Sequence, residues 1–129
     1  MNTIDLLMKM DAGALDKIPE EEREIPRLSE LTGGKFVIKY KALPGQRITE
    51  ISRMAGESIE KEYDAQLLLI CEAMVYPDLK NKELMEHFKV PTPKDLANKL
   101  FNGGEAGKIS KAIMALSGYT DDTDEQIKN

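Results

Sequence analysis

Few side chains in this sequence are of the types that run chemistry. His87 is the only histidine and Cys71 the only cysteine. Glu83 and Glu86 stand close to His87, but the spacing matches no metal-binding signature, and one imidazole is a poor basis for a zinc site. The reading of His87 is therefore structural. Cys71 falls in the most apolar stretch of the chain, where a thiol is held protonated and inert, and no basic activator adjoins it. Ser52, Ser58, Ser110 and Ser117 lack the strand-turn-helix context of a nucleophile elbow. Gly33-Gly34-Lys35 resembles a phosphate-binding loop only superficially, since Ser29 replaces the required first glycine and Phe36 the required Ser or Thr. Gly103-Gly104-Glu105-Ala106-Gly107 follows no strand, so a dinucleotide fingerprint is not expected there either. No nucleophile, base and orienting group come together in the pattern, and neither a catalytic site nor a cofactor nor a metal is expected.

The surface is the remaining source of function. Lys and Arg number 18 against 23 Asp and Glu, a net charge of −5. Phosphate neutralisation needs clustered positive charge, which disfavours nucleic acid as a partner. The longest unbroken apolar run, Leu67-Leu68-Leu69-Ile70-Cys71, is far short of the ~20 residues that span a bilayer, so no membrane partner is expected. A single cysteine forms no internal disulfide, and the start of the chain does not read as a signal peptide; a cytoplasmic location is expected. Two surfaces qualify for protein contacts. Lys35, Lys39, Lys41, Arg47 and Arg53 make one stretch basic within an acidic chain, either as a solvated face or as an electrostatic docking face. Leu67, Leu68, Ile70, Met74 and Val75 lie on a helix that is apolar nearly all round, either as core or as a surface for a partner.

These residues must be positioned by a helix-rich α+β domain. Apolar residues are 41% and charged residues 32%, a globular balance, and aromatics at 5% leave the core to aliphatic side chains. The pattern predicts five to six helices and a small N-terminal antiparallel β-hairpin in one domain spanning 1–129. Ile4, Leu7, Met8 and Leu15 have helical spacing over Thr3–Asp16, with Asn2 or Thr3 as cap. The acidic run Glu20–Glu24 reads as a solvated linker. Residues 35–43 alternate as a strand, with Phe36, Ile38 and Tyr40 on one face and the lysines on the other. Its nearest candidate partner is 24–28, confined to an edge by Pro26. Helices follow from Pro44 onward, over Tyr63–Tyr76 and Asn81–Lys89. Another opens at the capping box Thr92-Pro93-Lys94-Asp95, and the last runs from about Glu105 to Ser117, closed by Gly118 in a left-handed cap. Residues 120–129 read as a flexible acidic tail.

This order of elements resembles a known family. The segments that carry the resemblance are Ile25-Pro26-Arg27-Leu28, the strand Phe36–Leu43, Leu96-Ala97-Asn98-Lys99-Leu100-Phe101, Gly104-Glu105, and Ile113-Met114-Ala115-Leu116-Ser117-Gly118-Tyr119. Together they look like the XkdN-like tail assembly chaperones of Bacillus prophages and related tailed phages. The resemblance implies a non-enzymatic protein that binds and solubilises the tape measure protein, helps recruit tail tube subunits, and is absent from the finished virion. Self-association is expected as well, because one small domain covers little of a long client. A structural tail component or an acidic helical adaptor is the alternative.

Overall fold

A computed structural model of the chain describes residues 1–119. The acidic tail expected at 120–129 lies outside the described residues. Within 1–119 the fold is α+β and helix-rich, with seven α-helices and a small antiparallel sheet. The helices are α1 (Thr3–Lys9), α2 (Pro26–Thr32), α3 (Gly45–Ser52), α4 (Ile59–Ala73), α5 (Lys82–His87), α6 (Pro93–Leu100) and α7 (Gly103–Leu116). The strands β1 (Glu20–Glu24), β2 (Val37–Lys41) and β3 (Met74–Tyr76) pair in the order β1-β2-β3.

The hairpin forms as expected, but its first strand lies upstream of the expected 24–28. The acidic run Glu20–Glu24 is that strand rather than a linker. Its register sets Glu20 opposite Lys41 and Glu22 opposite Lys39, and Lys39 Nζ reaches Glu20 at 3.1 Å. Opposite charges facing each other across an antiparallel pair favour this register, whereas each run alone reads as solvated. On the other face Ile38 and Tyr40 are buried. The Tyr40 hydroxyl donates to the Glu21 carboxylate and accepts from Arg23 Nε at 3.5 Å. Pairing ends after Ile25, whose N–H donates to the Phe36 carbonyl at 3.0 Å. Pro26 then occupies the first turn of α2, where its missing N–H costs nothing and its fixed φ suits a helix. That extra helix raises the number above the expected five to six.

The third strand also departs from expectation, because the helix expected to run to Tyr76 ends at Ala73. Tyr76 precedes Pro77, which pushes it toward extended backbone. Pairing of Met74 with Tyr40 and Tyr76 with Lys39 supplies the hydrogen bonds that further helix would have made.

α4 is the centre of the domain and packs against α3, α6 and α7. Ser58 caps it by accepting from the Lys61 N–H at 3.1 Å, and Glu60 and Glu62 favour the positive end of its dipole. Ala65, Leu67, Leu69, Ile70, Cys71 and Ala73 are all buried. Removing each large aliphatic side chain from water contributes roughly 1.5–3 kcal/mol. Leu96 and Ala97 of α6 and Ala106, Ile109 and Ile113 of α7 close the core around it.

Polar contacts fix the outer helices. Arg27 of α2 donates through Nε and Nη2 to the Glu105 carboxylate at 3.0 and 2.8 Å, and through Nη2 to the Leu100 carbonyl at 2.6 Å. Glu105 simultaneously closes the capping box of α7 with Asn102. The hydrogen bond from Arg27 is the main reason that the Glu105 carboxyl is held below its ordinary value, with burial opposing it. A carboxylate depressed by folding stabilises the fold above its unfolded value. That contribution disappears as pH falls through the folded value. The melting-temperature advantage of the native chain over Glu105→Gln should therefore be full at neutral pH and vanish once pH drops well below about 4.

At the end of α7, Gly118 has φ +100°, the left-handed conformation expected of it. No atom lies within 4 Å of an added Cβ there, so Gly118→Ala should cost roughly 1 kcal/mol through backbone strain alone, measurable by chemical denaturation.

Candidate functional site

The structure distributes the apolar candidates within the core. Leu67, Ile70 and Met74 are buried and Leu68 is partly buried against them. Val75, on the edge strand β3, is exposed. The basic candidates are spread over β2, α3 and the segments beside them. Lys39 and Lys41 stand opposite Glu22 and Glu20. Arg47 is clamped by Glu72, with Nε at 2.8 Å, and by Glu50, with Nη1 at 2.8 Å. Lys35 and Arg53 are exposed at separate places, before β2 and after α3. The acidic strand thus faces two of the five basic candidates, and Glu50 and Glu72 pair a third.

Two other features stand out. The first is an open groove of about 680 Å³ between α3, α4 and α7. Ile51 and Ala55 form one wall, Ala65 and Leu69 of α4 the floor, and Met114 and Ala115 of α7 the opposite wall. Tyr119 stands at one end, held there by its N–H donating to the Met114 carbonyl at 2.9 Å. Three alanines at these positions keep the helices from filling the space with their own side chains. Glu62, Gln66 and Lys111 add polar groups to the lining. An apolar floor with charged groups around it suits an apolar side-chain row on a partner.

The second feature is the N-terminal arm. Asn2 and Asp5 close a capping box on α1, and Asp11 caps the following 3-10 helix, so the arm has helical structure. Yet none of its residues is buried. Ile4 is 69% exposed, Met8 81% and Leu15 75%. Such large side chains left in water together mark a surface that works by contact. The helix expected over Thr3–Asp16 instead stops at Lys9, because Met10 turns to extended backbone and Asp11 caps a separate 3-10 helix, Ala12–Asp16, that holds Leu15. Ile4, Leu7 and Met8 keep the expected spacing on α1, and the sequence does not tell that they stay exposed among the described residues.

Groups with chemical potential are separated. Cys71 is buried and its thiol is pushed up to about 11, chiefly by burial. His87 packs edge-on against Phe88 with ring centroids 4.9 Å apart. Among the described residues no group of three or more His, Cys, Asp or Glu could hold a metal ion, and no helix is long and apolar enough to cross a membrane.

Residues 4–129 match the family model described as the phage XkdN-like tail assembly chaperone protein. The chain belongs to that family. Two Bacillus subtilis (strain 168) proteins are similar to this tail assembly chaperone over most of their length. YqbN is 32% identical over 123 residues, covering 84% of this chain and 82% of YqbN. XkdN, of the phage-like element PBSX, is 28% identical over 130 residues, covering 87% of each. The crystal structure of YqbN superposes with a TM-score of 0.58 at 26% identity, covering 81% of this chain and 90% of that one.

Proposed function

We propose that this tail assembly chaperone acts without catalysis, in the host cytoplasm, by covering apolar stripes on the tape measure protein until tail tube subunits surround it. The open α3/α4/α7 groove carries the proposal. A long helical client with apolar side chains at regular spacing needs a shallow site that accepts aliphatic groups of varied shape. Met114 and the small side chains of Ala55, Ala65 and Ala115 provide one. Each contact is weak, and several chaperone copies on one client gain affinity through avidity. The net charge of −5 keeps the covered client dispersed and assists encounter with tube subunits. Self-association belongs to the same reading, since copies bound side by side shield a longer stretch.

The test is co-expression of the tape measure protein with and without this chaperone. The client should move from the pellet to the soluble fraction when the chaperone is present. An unchanged pellet, or the chaperone recovered stoichiometrically in purified virions, would contradict the reading.

A further inference from the structure

We infer that, before a client is engaged, the α3/α4/α7 groove is occupied by the N-terminal arm of a second copy of this chain, the two copies exchanging arms reciprocally as a dimer. The inference rests on the reading of the groove as an apolar docking site and names what fills it first.

Three observations carry it. The arm and the groove have matching chemistry and size. Ile4, Leu7 and Met8 fall at i, i+3 and i+4 on α1, a single apolar row. The seven residues of α1 extend about 10 Å, the same as the stretch of α4 from Glu62 to Leu69 that lines the groove. Asp5 and Lys9 accompany the apolar row, and the groove lining also carries both signs, in Glu62 and Lys111.

The arm also leaves the fold beside the groove. Ala42 N–H donates to the Pro19 carbonyl at 2.9 Å, and the next residue, Leu43, donates its N–H to Ser117 Oγ at 3.0 Å. The arm therefore departs close to the end of α7, where Tyr119 closes the groove. In spite of this proximity, α1 buries no residue among the described residues.

An element whose root adjoins its receptor, but whose apolar row stays exposed among the described residues, has the layout of a reciprocal exchange. A two-fold axis near Tyr119 lets each arm cross to the other groove, and both grooves close at once, which leaves no open groove for a third copy. Three aliphatic anchors per arm suit a dissociation constant in the micromolar range rather than a permanent dimer. The arm then serves as a placeholder that a longer apolar client displaces through avidity.

Sedimentation velocity across a concentration series tests this with the full chain and with Leu7→Asp. Leu7 is 56% exposed and lies outside the buried core, so the variant should remain folded by circular dichroism. The native chain should reach twice the monomer mass, and Leu7→Asp should weaken association on the order of 100-fold. A peptide of residues 1–18 is then added to isotopically labelled Leu7→Asp, and the amide shifts at Ala65, Leu69 and Met114 should move. A native chain that stays monomeric, a Leu7→Asp chain that dimerises as well as the native one, or peptide shifts outside the groove would each overturn the inference. These outcomes are separable from the chaperone reading, because Leu7→Asp keeps its groove and should still solubilise the client. Failure of the native chain to solubilise the client would count against the chaperone reading, whereas the masses and peptide shifts judge the arm exchange.

Discussion

Ile70→Ala is expected to lower stability by about 3 kcal/mol without altering affinity for a client once the variant is folded. Ile70 has no exposed surface and lies on the helix around which α3, α6 and α7 pack. Deleting it removes apolar contacts and leaves a cavity whose walls belong to several helices, so collapse is only partial. Native domains are stable by only roughly 5–15 kcal/mol, which makes this a large fraction of the total. For a chain of this size the melting temperature should fall by about 10–15 °C. Thermal denaturation measures the first effect, and client titration well below the transition measures the second. Unchanged stability with weakened client binding would mean that the α4 stripe is a docking surface rather than core.

The opposite outcome is expected of Met114→Glu. Met114 is half-buried on the α7 wall of the open groove, so a polar side chain of similar length there can reach water in the free protein. Stability should change by less than about 1 kcal/mol. When an apolar client lies across the groove, the carboxylate loses water against apolar surface and the thioether contact is lost. Client affinity should drop on the order of 100-fold, and co-expression should leave most of the client insoluble. Met114→Leu, which conserves volume and polarity, should bind nearly as the native chain does. Equal solubilisation by the native chain and Met114→Glu would remove the groove from the account.

The two variants expose what the sequence makes legible. Capping chemistry is local, so Thr92 and Gly118 place the start of α6 and the end of α7 correctly. The expected capping box is only half made, because Thr92 Oγ1 accepts from the Asp95 N–H while the Asp95 carboxylate takes the Thr92 hydroxyl and not its backbone N–H. The alternation of β2 is equally clear, because a period of two over five residues fits a strand with one buried face. β1 is not legible in isolation, since Glu20–Glu24 becomes a strand only through the lysines it faces; reading the two oppositely charged runs as a pair was the available signal. The end of α4 is obscured for a similar reason, as Met74–Tyr76 takes its conformation from β2.

The candidate surfaces were less legible than the fold. An all-round apolar helix signals burial but not what buries it, and in this chain α3, α6 and α7 do so. A groove is a property of three helices at once. Ala55, Ala65 and Ala115 look unremarkable along the chain and acquire meaning only where they face a common space. The arm poses the converse problem. Ile4, Leu7 and Met8 have the spacing of a core-facing helix, and only the folded chain reveals that no core receives them.

Calorimetric titration of the purified chaperone with a soluble segment of the tape measure protein, repeated at several temperatures and two salt concentrations, tests apolar shielding most directly. Burial of an aliphatic stripe should give a clearly negative heat-capacity change and an affinity nearly independent of salt. A heat-capacity change near zero, with affinity that collapses as salt is raised, would contradict the account and assign the contact to charge instead.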